Sequence, residues 1–396
     1  MAHATGFFSI PPRLRRLAAP AVFVLFALAL LGGAGSPVPR ASAAPRAAGP
    51  KAYAGLFKDN AVAVLDTATN SVLATIPVPA GPHGIVASPD GRRVYVSSDG
   101  DSKVSVIDTA SDTIVATIEV GTMPHGLAIT PDGRLVLAAV FGANQVAFID
   151  TATNVVIGTA PAGSPHNIAI TPDGRTAYVA SQTQGQTALV ILDIVSRAVK
   201  GSVALDKTPR ALNFSPDGKQ LEFTLAGADA VQVLDPATNT IATQIPVGAS
   251  PHHPLYLPDG AMSLVVAQGP GELDLLDPAK NTLTAKVKVG EMPHWIALTP
   301  DGTSAWVTNE NSNSISVVNL ASQTVTATIA VGNAPRKIVI LPPATAGQSS
   351  VRTLAATGSG GQAGGGTSRT LIAGLLASAV ILGAACVLAW RAAEER

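Results

Sequence analysis

Ser88-Pro89-Asp90-Gly91 leads into Arg93-Val94-Tyr95-Val96-Ser97-Ser98, and Lys103-Val104-Ser105-Val106-Ile107-Asp108 runs into Thr109-Ala110-Ser111-Asp112-Thr113. Alternating apolar runs bounded by turn residues read as short strands. Proline presets φ in the first turn, and glycine tolerates the positive φ that closes it. The aspartate before the second turn accepts backbone N–H bonds. The asparagine that ends this turn in other copies tolerates the left-handed region. Within the stretch four β-rich runs follow one another, at 84–88, 93–97, 103–107 and 113–120.

Outward from this stretch the pattern repeats. Pro-Asp-Gly recurs at Pro89, Pro131, Pro172, Pro216, Pro258 and Pro300. The strand-ending acid recurs at Asp66, Asp108, Asp150, Asp193, Asp235 and Asp277, with Asn319 as the seventh copy. Its spacing is 42 residues, once 43. A third marker, Pro followed by His or Arg, stands at Pro82, Pro124, Pro165, Pro209, Pro251, Pro293 and Pro335. A fixed period of this length signals stacked supersecondary units. Seven copies of four antiparallel strands predict an all-β, seven-bladed β-propeller over 51–342. The first copy begins at Lys51-Ala52-Tyr53, the counterpart of Arg93-Val94-Tyr95, and so lacks a first strand. The last ends on an orphan first strand, 336–341. Pairing the two closes the ring in one blade and removes two exposed sheet edges.

Val94-Tyr95-Val96-Ser97-Ser98, Ala177-Tyr178-Val179-Ala180-Ser181 and Ala305-Trp306-Val307-Thr308-Asn309, each with its Pro-Asp-Gly and the first with Asp108-Thr109-Ala110, resemble the YVTN-family (YncE-like) propeller repeats. That resemblance implies the fold. For function it points several ways, because such propellers include surface-layer-like secreted proteins and have lactonases and haem or copper reductase domains among their relatives.

Composition agrees with many short strands. Apolar residues make up 47% and aromatics only 4%, so the core is built of Ala, Val, Ile and Leu. Residues 44–357 hold 19 basic and 24 acidic side chains, a balance that argues against a nucleic-acid footprint. The single cysteine, Cys386, lies outside the repeats, which excludes a disulfide framework or a thiolate metal site within them.

The two ends read as addresses. Arg13, Arg15 and Arg16 precede an apolar run, and Ala41-Ser42-Ala43 has the form of a cleavage site, which predicts a signal peptide over 1–43. A short linker, 44–50, follows. The uncharged run 371–390 is long enough to span a bilayer, and Arg391 and Arg396 follow it as positive-inside orientation expects. This predicts a transmembrane helix at 370–390 and a cytoplasmic tail at 391–396. Leu354-Ala355-Ala356-Thr357-Gly358, inside a Gly/Ser/Ala-rich linker at 343–369, resembles the LAxTG sorting signal of class E sortases. By that resemblance a transpeptidase cuts after Thr357 and joins it to the envelope. A plain membrane anchor is the other reading. Both place the domain on the extracellular face of a bacterial cell envelope.

In propellers of this type the first strand lines the central channel. The residues after the recurring proline are His83, His125, His166, Arg210, His252, His294 and Arg336. Equal spacing in sequence then predicts a ring at one mouth of the channel. Three readings stand for it. The imidazoles satisfy neighbouring backbone, or the ring binds an anion or polar ligand, or His83, His125, His166, His252 and His294 ligate copper or zinc. The last resembles the hub histidines of nitrous oxide reductase propellers, although Arg210 and Arg336 bring charge that repels a cation. The aspartates that end the strands are accounted for by their turns. Polar loops at 98–103, 141–145, 182–187 and 309–314 share the face of the ring.

The column Tyr53, Tyr95, Leu137, Tyr178, Glu222, Leu264 and Trp306 is expected to pack between blades, with Glu222 as its one charged member. Three functions follow. The first is a monomeric, non-catalytic module that binds an extracellular protein, glycan or small ligand through the channel mouth. The second is a metal-binding or lactonase-like enzyme using the same ring. The third is a surface-layer subunit. Mass spectrometry of envelope-released protein is expected to give a mature chain that begins at Ala44 and ends at Thr357. A chain that retains the 371–390 segment would remove the transpeptidase step.

Overall fold

The structure, a computed structural model, describes residues 50–342. The signal sequence, the sorting motif and the 370–390 segment lie outside the described residues. Those described form seven four-stranded antiparallel sheets. In one blade the strands run from the axis to the rim as Pro82–Ala87, Arg93–Ser98, Lys103–Asp108 and Thr113–Glu119, each paired with the next. The middle two are almost wholly buried, whereas the outermost buries only Ile118.

Local chemistry sets the turns. Ser88 Oγ donates to the Asp90 carboxylate, which also accepts the Arg92 N–H at 3.0 Å. Gly91, at φ 69°, returns its N–H to the Ser88 carbonyl. Thr130, Asp132 and Gly133 repeat the set, as do Thr171, Asp173 and Gly174. At the other turn Asp66 Oδ1 accepts the N–H groups of Ala68 and Thr69 at 2.7 and 3.0 Å, and Asn70 takes φ 53°.

The ring closes as the sequence predicts. Pro335–Ile340 pairs antiparallel with Lys51–Leu56, Ala52 opposite Ile340 and Ala54 opposite Ile338, and Ala61–Asp66 and Ser71–Pro77 complete the blade. Between blades the column is fully buried. Trp306 packs against Ala52 and Ala54 of the closing blade, and Tyr95 against Leu127 and Val136 of the next. The Tyr53 and Tyr178 hydroxyls each reach a left-handed turn residue of the following blade, Asp112 and Asn239.

Glu222, the charged member, sits between two blades. Its Oε1 accepts the Ser263 hydroxyl at 2.8 Å, and its Oε2 has no partner. Burial pushes its carboxyl up to about 7, although the Ser263 and Tyr256 hydroxyls pull in the other direction. The folded state therefore holds the proton more tightly than the unfolded chain. The carboxyl's contribution is favourable at low pH and is lost as pH rises through about 7. Glu222→Gln is expected to stabilise the protein by about 1–3 kcal/mol near pH 8, with the gain vanishing near pH 4. Urea unfolding at both pH values reads this out, and a gain independent of pH would contradict it.

Candidate functional site

The first strand of every blade carries the same irregularity. Pro82 lies opposite Ser98 and Ile85 opposite Val96, so His83 and Gly84 together face one residue, Ser97. This is a β-bulge, which turns side chains that strict alternation would send to opposite faces. It recurs at Pro124/Leu127, Pro165/Ile168, Pro209/Leu212, Pro251/Pro254, Pro293/Ile296 and Pro335/Ile338. Two successive residues per blade consequently reach the axis, in two tiers.

Hydroxyls of the second strand pin this backbone. Ser97, Thr224 and Thr308 donate to the carbonyls of His125, His252 and Arg336 in the next blade. The tiers also come close enough to require glycine. A Cβ on Gly84 would stand 2.2 Å from the His125 carbonyl oxygen, and one on Gly126 would stand 2.4 Å from that of His166.

The upper tier holds the seven residues singled out in the sequence. His83 and His125 stack with centroids 4.6 Å apart, and His166 stands edge-on to both at 5.4 and 5.2 Å. One nitrogen from each of these three rings lies within 4.8 Å of the others. His252 and His294 form a separate pair at 4.2 Å, and His83 meets His294 at 6.4 Å. Both arginines are engaged elsewhere. Arg336 donates to Glu310 at 3.2 Å and covers the Phe57 ring, and Arg210 donates to Ser250 and Gln268 at 3.1 Å.

These imidazoles are largely withdrawn from solvent rather than displayed at an open mouth, with His166 the partly exposed member. His83 and His294 are 6% exposed, His252 7% and His125 9%. Burial holds His83, His252 and His294 well below the usual imidazole range and His166 at about 3, with neighbouring imidazoles and the cations of the tier adding to it. Nδ1 of His83, His125, His252 and His294 has no hydrogen-bond partner, nor has His125 Nε2, which lies 3.4 Å from Asp99 out of line for a bond. A buried polar atom left unpaired costs about 1–3 kcal/mol, so these lone pairs and N–H groups are available for a ligand. His166 Nδ1 lies 3.2 Å from the Arg210 carbonyl. If that nitrogen carries the proton, Nε2 is left free to coordinate.

The lower tier was not identified in the sequence. It consists of Gly84, Gly126, Asn167, Ala211, His253, Trp295 and Lys337. Lys337, 2% exposed, donates across the axis to Asn167 Oδ1 and lies 4.0 Å from the centre of the Trp295 ring. His253 stacks on the other partner, Trp295, at 3.5 Å. Burial brings the Lys337 amine down to about 7. Period-two alternation sends these residues away from the channel. Only the extra residue of the bulge brings them in, and the recurring proline was its one sequence trace.

A seven-bladed β-propeller with a buried histidine tier on its axis is thus the class of protein. A family model described as YNCE-like beta-propeller matches residues 41–131. No curated protein matches the chain. Among solved structures, Kuenenia stuttgartiensis hydrazine synthase is 23% identical with a TM-score of 0.62, over 66% of this chain and 90% of that one. A functionally unknown protein from Desulfotomaculum acetoxidans is 17% identical with a TM-score of 0.64, over 74% and 99%. Citrobacter koseri AztD is 15% identical with a TM-score of 0.56, over 74% and 97%. These likenesses show the shared fold.

Because His83, His166, His252 and His294 titrate below 6.5 in the folded state, the unfolded chain binds more protons once pH falls under that value, and stability is lost on acidification. Denaturant midpoints are expected to fall steeply from about pH 7 to pH 4.5, with His294→Asn losing about 1 kcal/mol less over that interval. Parallel pH profiles for the two proteins would contradict this assignment.

Proposed function

We propose that this propeller is an exported binding module, displayed on the outer face of a bacterial envelope, that takes up one copper or zinc ion at His83, His125 and His166. The observation that supports it is the gathering of three imidazoles, His83 buried and His125 and His166 at the edge of burial, whose nitrogens converge within 4.8 Å while several of them lack any partner. Their surroundings keep His83 and His166 neutral, the form that ligates a metal, so binding need not compete with protons near neutral pH. Tetrahedral zinc, with Zn–N bonds of about 2.0–2.1 Å, places its nitrogens about 3.3 Å apart. The three rings would have to close in from 4.8 Å, and His83 and His125 to unstack, to reach that spacing.

The objection raised by the arginines is weakened by their partners. Arg336 is balanced by Glu310, and Arg210 is held by two neutral acceptors. A fourth ligand position would remain for water or a bound molecule, which makes the tier a candidate for recognising an extracellular ligand through the metal. The tethered, binding role and the metal role are therefore one reading of one site.

The untagged full chain, stripped with chelator and incubated with copper or zinc, is expected to retain about one ion per chain after gel filtration. His83→Ala, His125→Ala and His166→Ala are each expected to weaken that binding by at least about tenfold, and His252→Ala to leave it nearly unchanged. Retention below about 0.1 ion per chain from either metal would end the metal reading.

A further inference from the structure

Below the histidine tier lies a cavity of about 370 Å³. Its inner end is formed by Lys337, Asn167, His253 and Trp295, and its outer end by Pro131, Pro172 and Pro216 of the Pro-Asp-Gly turns. The bore therefore opens on the turn face, opposite the histidines. Its wall between the two ends is mixed, with Ile168, Leu212 and Phe214 standing beside Asn213 and Ser215.

The chemistry of this floor is unbalanced. Lys337 is the cation of the lower tier, and among the described residues no carboxylate pairs with it. Its contacts are one amide oxygen and one indole face. A buried ammonium without a counter-ion is costly, and an anion arriving in the cavity would offset that cost. Two further donors stand nearby. His253 Nδ1 accepts the Ile296 N–H at 3.3 Å, which places the ring proton on Nε2. Asn213 uses its oxygen to accept the Tyr256 N–H at 3.0 Å, so its amide N–H groups are left to donate. A single cation below a wall that carries Ile168, Leu212 and Phe214 suits a singly charged ligand with a hydrocarbon body better than a phosphate, whose second charge would be unmatched.

We propose that the bore is a binding pocket for a small monocarboxylate, its carboxylate seated on the Lys337 ammonium and its apolar body against Ile168, Leu212 and Phe214. The site uses none of the three histidines assigned to the metal. It stands or falls separately from that reading.

Calorimetric titration of the full chain with benzoate and hexanoate tests it, with benzyl alcohol and inorganic phosphate as controls. At least one carboxylate is expected to saturate one site per chain, at least about tenfold more tightly than either control. His83→Ala is expected to leave this affinity unchanged. Lys337→Met, which keeps the side chain's length and removes its charge, is expected to lower it at least about tenfold. Ile170→Trp, which narrows the bore without touching the amine, is expected to abolish binding and serves if Lys337→Met does not fold. The proposal is overturned if neither carboxylate binds, if either control binds as tightly, or if binding survives at full affinity in folded Lys337→Met or Ile170→Trp.

Discussion

The antiparallel pairing of Lys51–Leu56 with Pro335–Ile340 holds the ring shut, and the axis exists only because it does. A propeller blade buries its faces against its neighbours, so an open ring would leave two blades half uncovered and two sheet edges exposed. The seam also carries chemistry. Arg336 and Lys337 belong to the strand that closes it, and both reach partners in other blades: Arg336 to Glu310, and Lys337 to Asn167 across the axis. Loss of the seam would remove one member from each tier together. Lys51 and Tyr53, on the partner strand, converge on Asp112 of the neighbouring blade and fasten the other side of the same joint.

Within the closed ring the bulge decides what the axis contains. A regular first strand would send one residue per blade inward and the next outward. Seven bulges send two. The result is a bore filled at one end by imidazoles, an indole and an amine, and left open at the other. Crowding five imidazoles and a lysine out of water is unfavourable unless most of them stay neutral, and burial biases His83, His166, His252, His294 and Lys337 in that direction. The two arginines of the upper tier, Arg210 and Arg336, lie where polar or acidic partners meet them.

The fold was legible because each turn carries its own physical signature. Glycine of positive φ recurs at six Pro-Asp-Gly turns, and a residue of left-handed φ, asparagine in four copies, closes the other turn in all seven blades. The upper tier was legible for the same reason, since a residue that follows an invariant proline keeps its place under rotation. What the sequence hid was depth and direction. The histidines read as a displayed mouth, whereas Phe57 and Phe141 pack against His83 and His125 and leave them buried. Lys337 read as an ordinary strand residue after Arg336, because a bulge leaves no residue type of its own. Glu222 read as a break in an apolar column, and its partner Ser263 became visible only when the next blade was laid against it.

The seam has one more consequence. The Leu341 N–H bonds the Lys51 carbonyl at 2.9 Å, so the first and last described strands meet at a single point of the circle. Six blades are continuous in the chain and one is stitched from both extremities, yet all seven share one hydrogen-bonding plan. The ring has no physical beginning. A gene cut at any Pro-Asp-Gly turn and rejoined across the old gap would encode the same circle with a different starting blade.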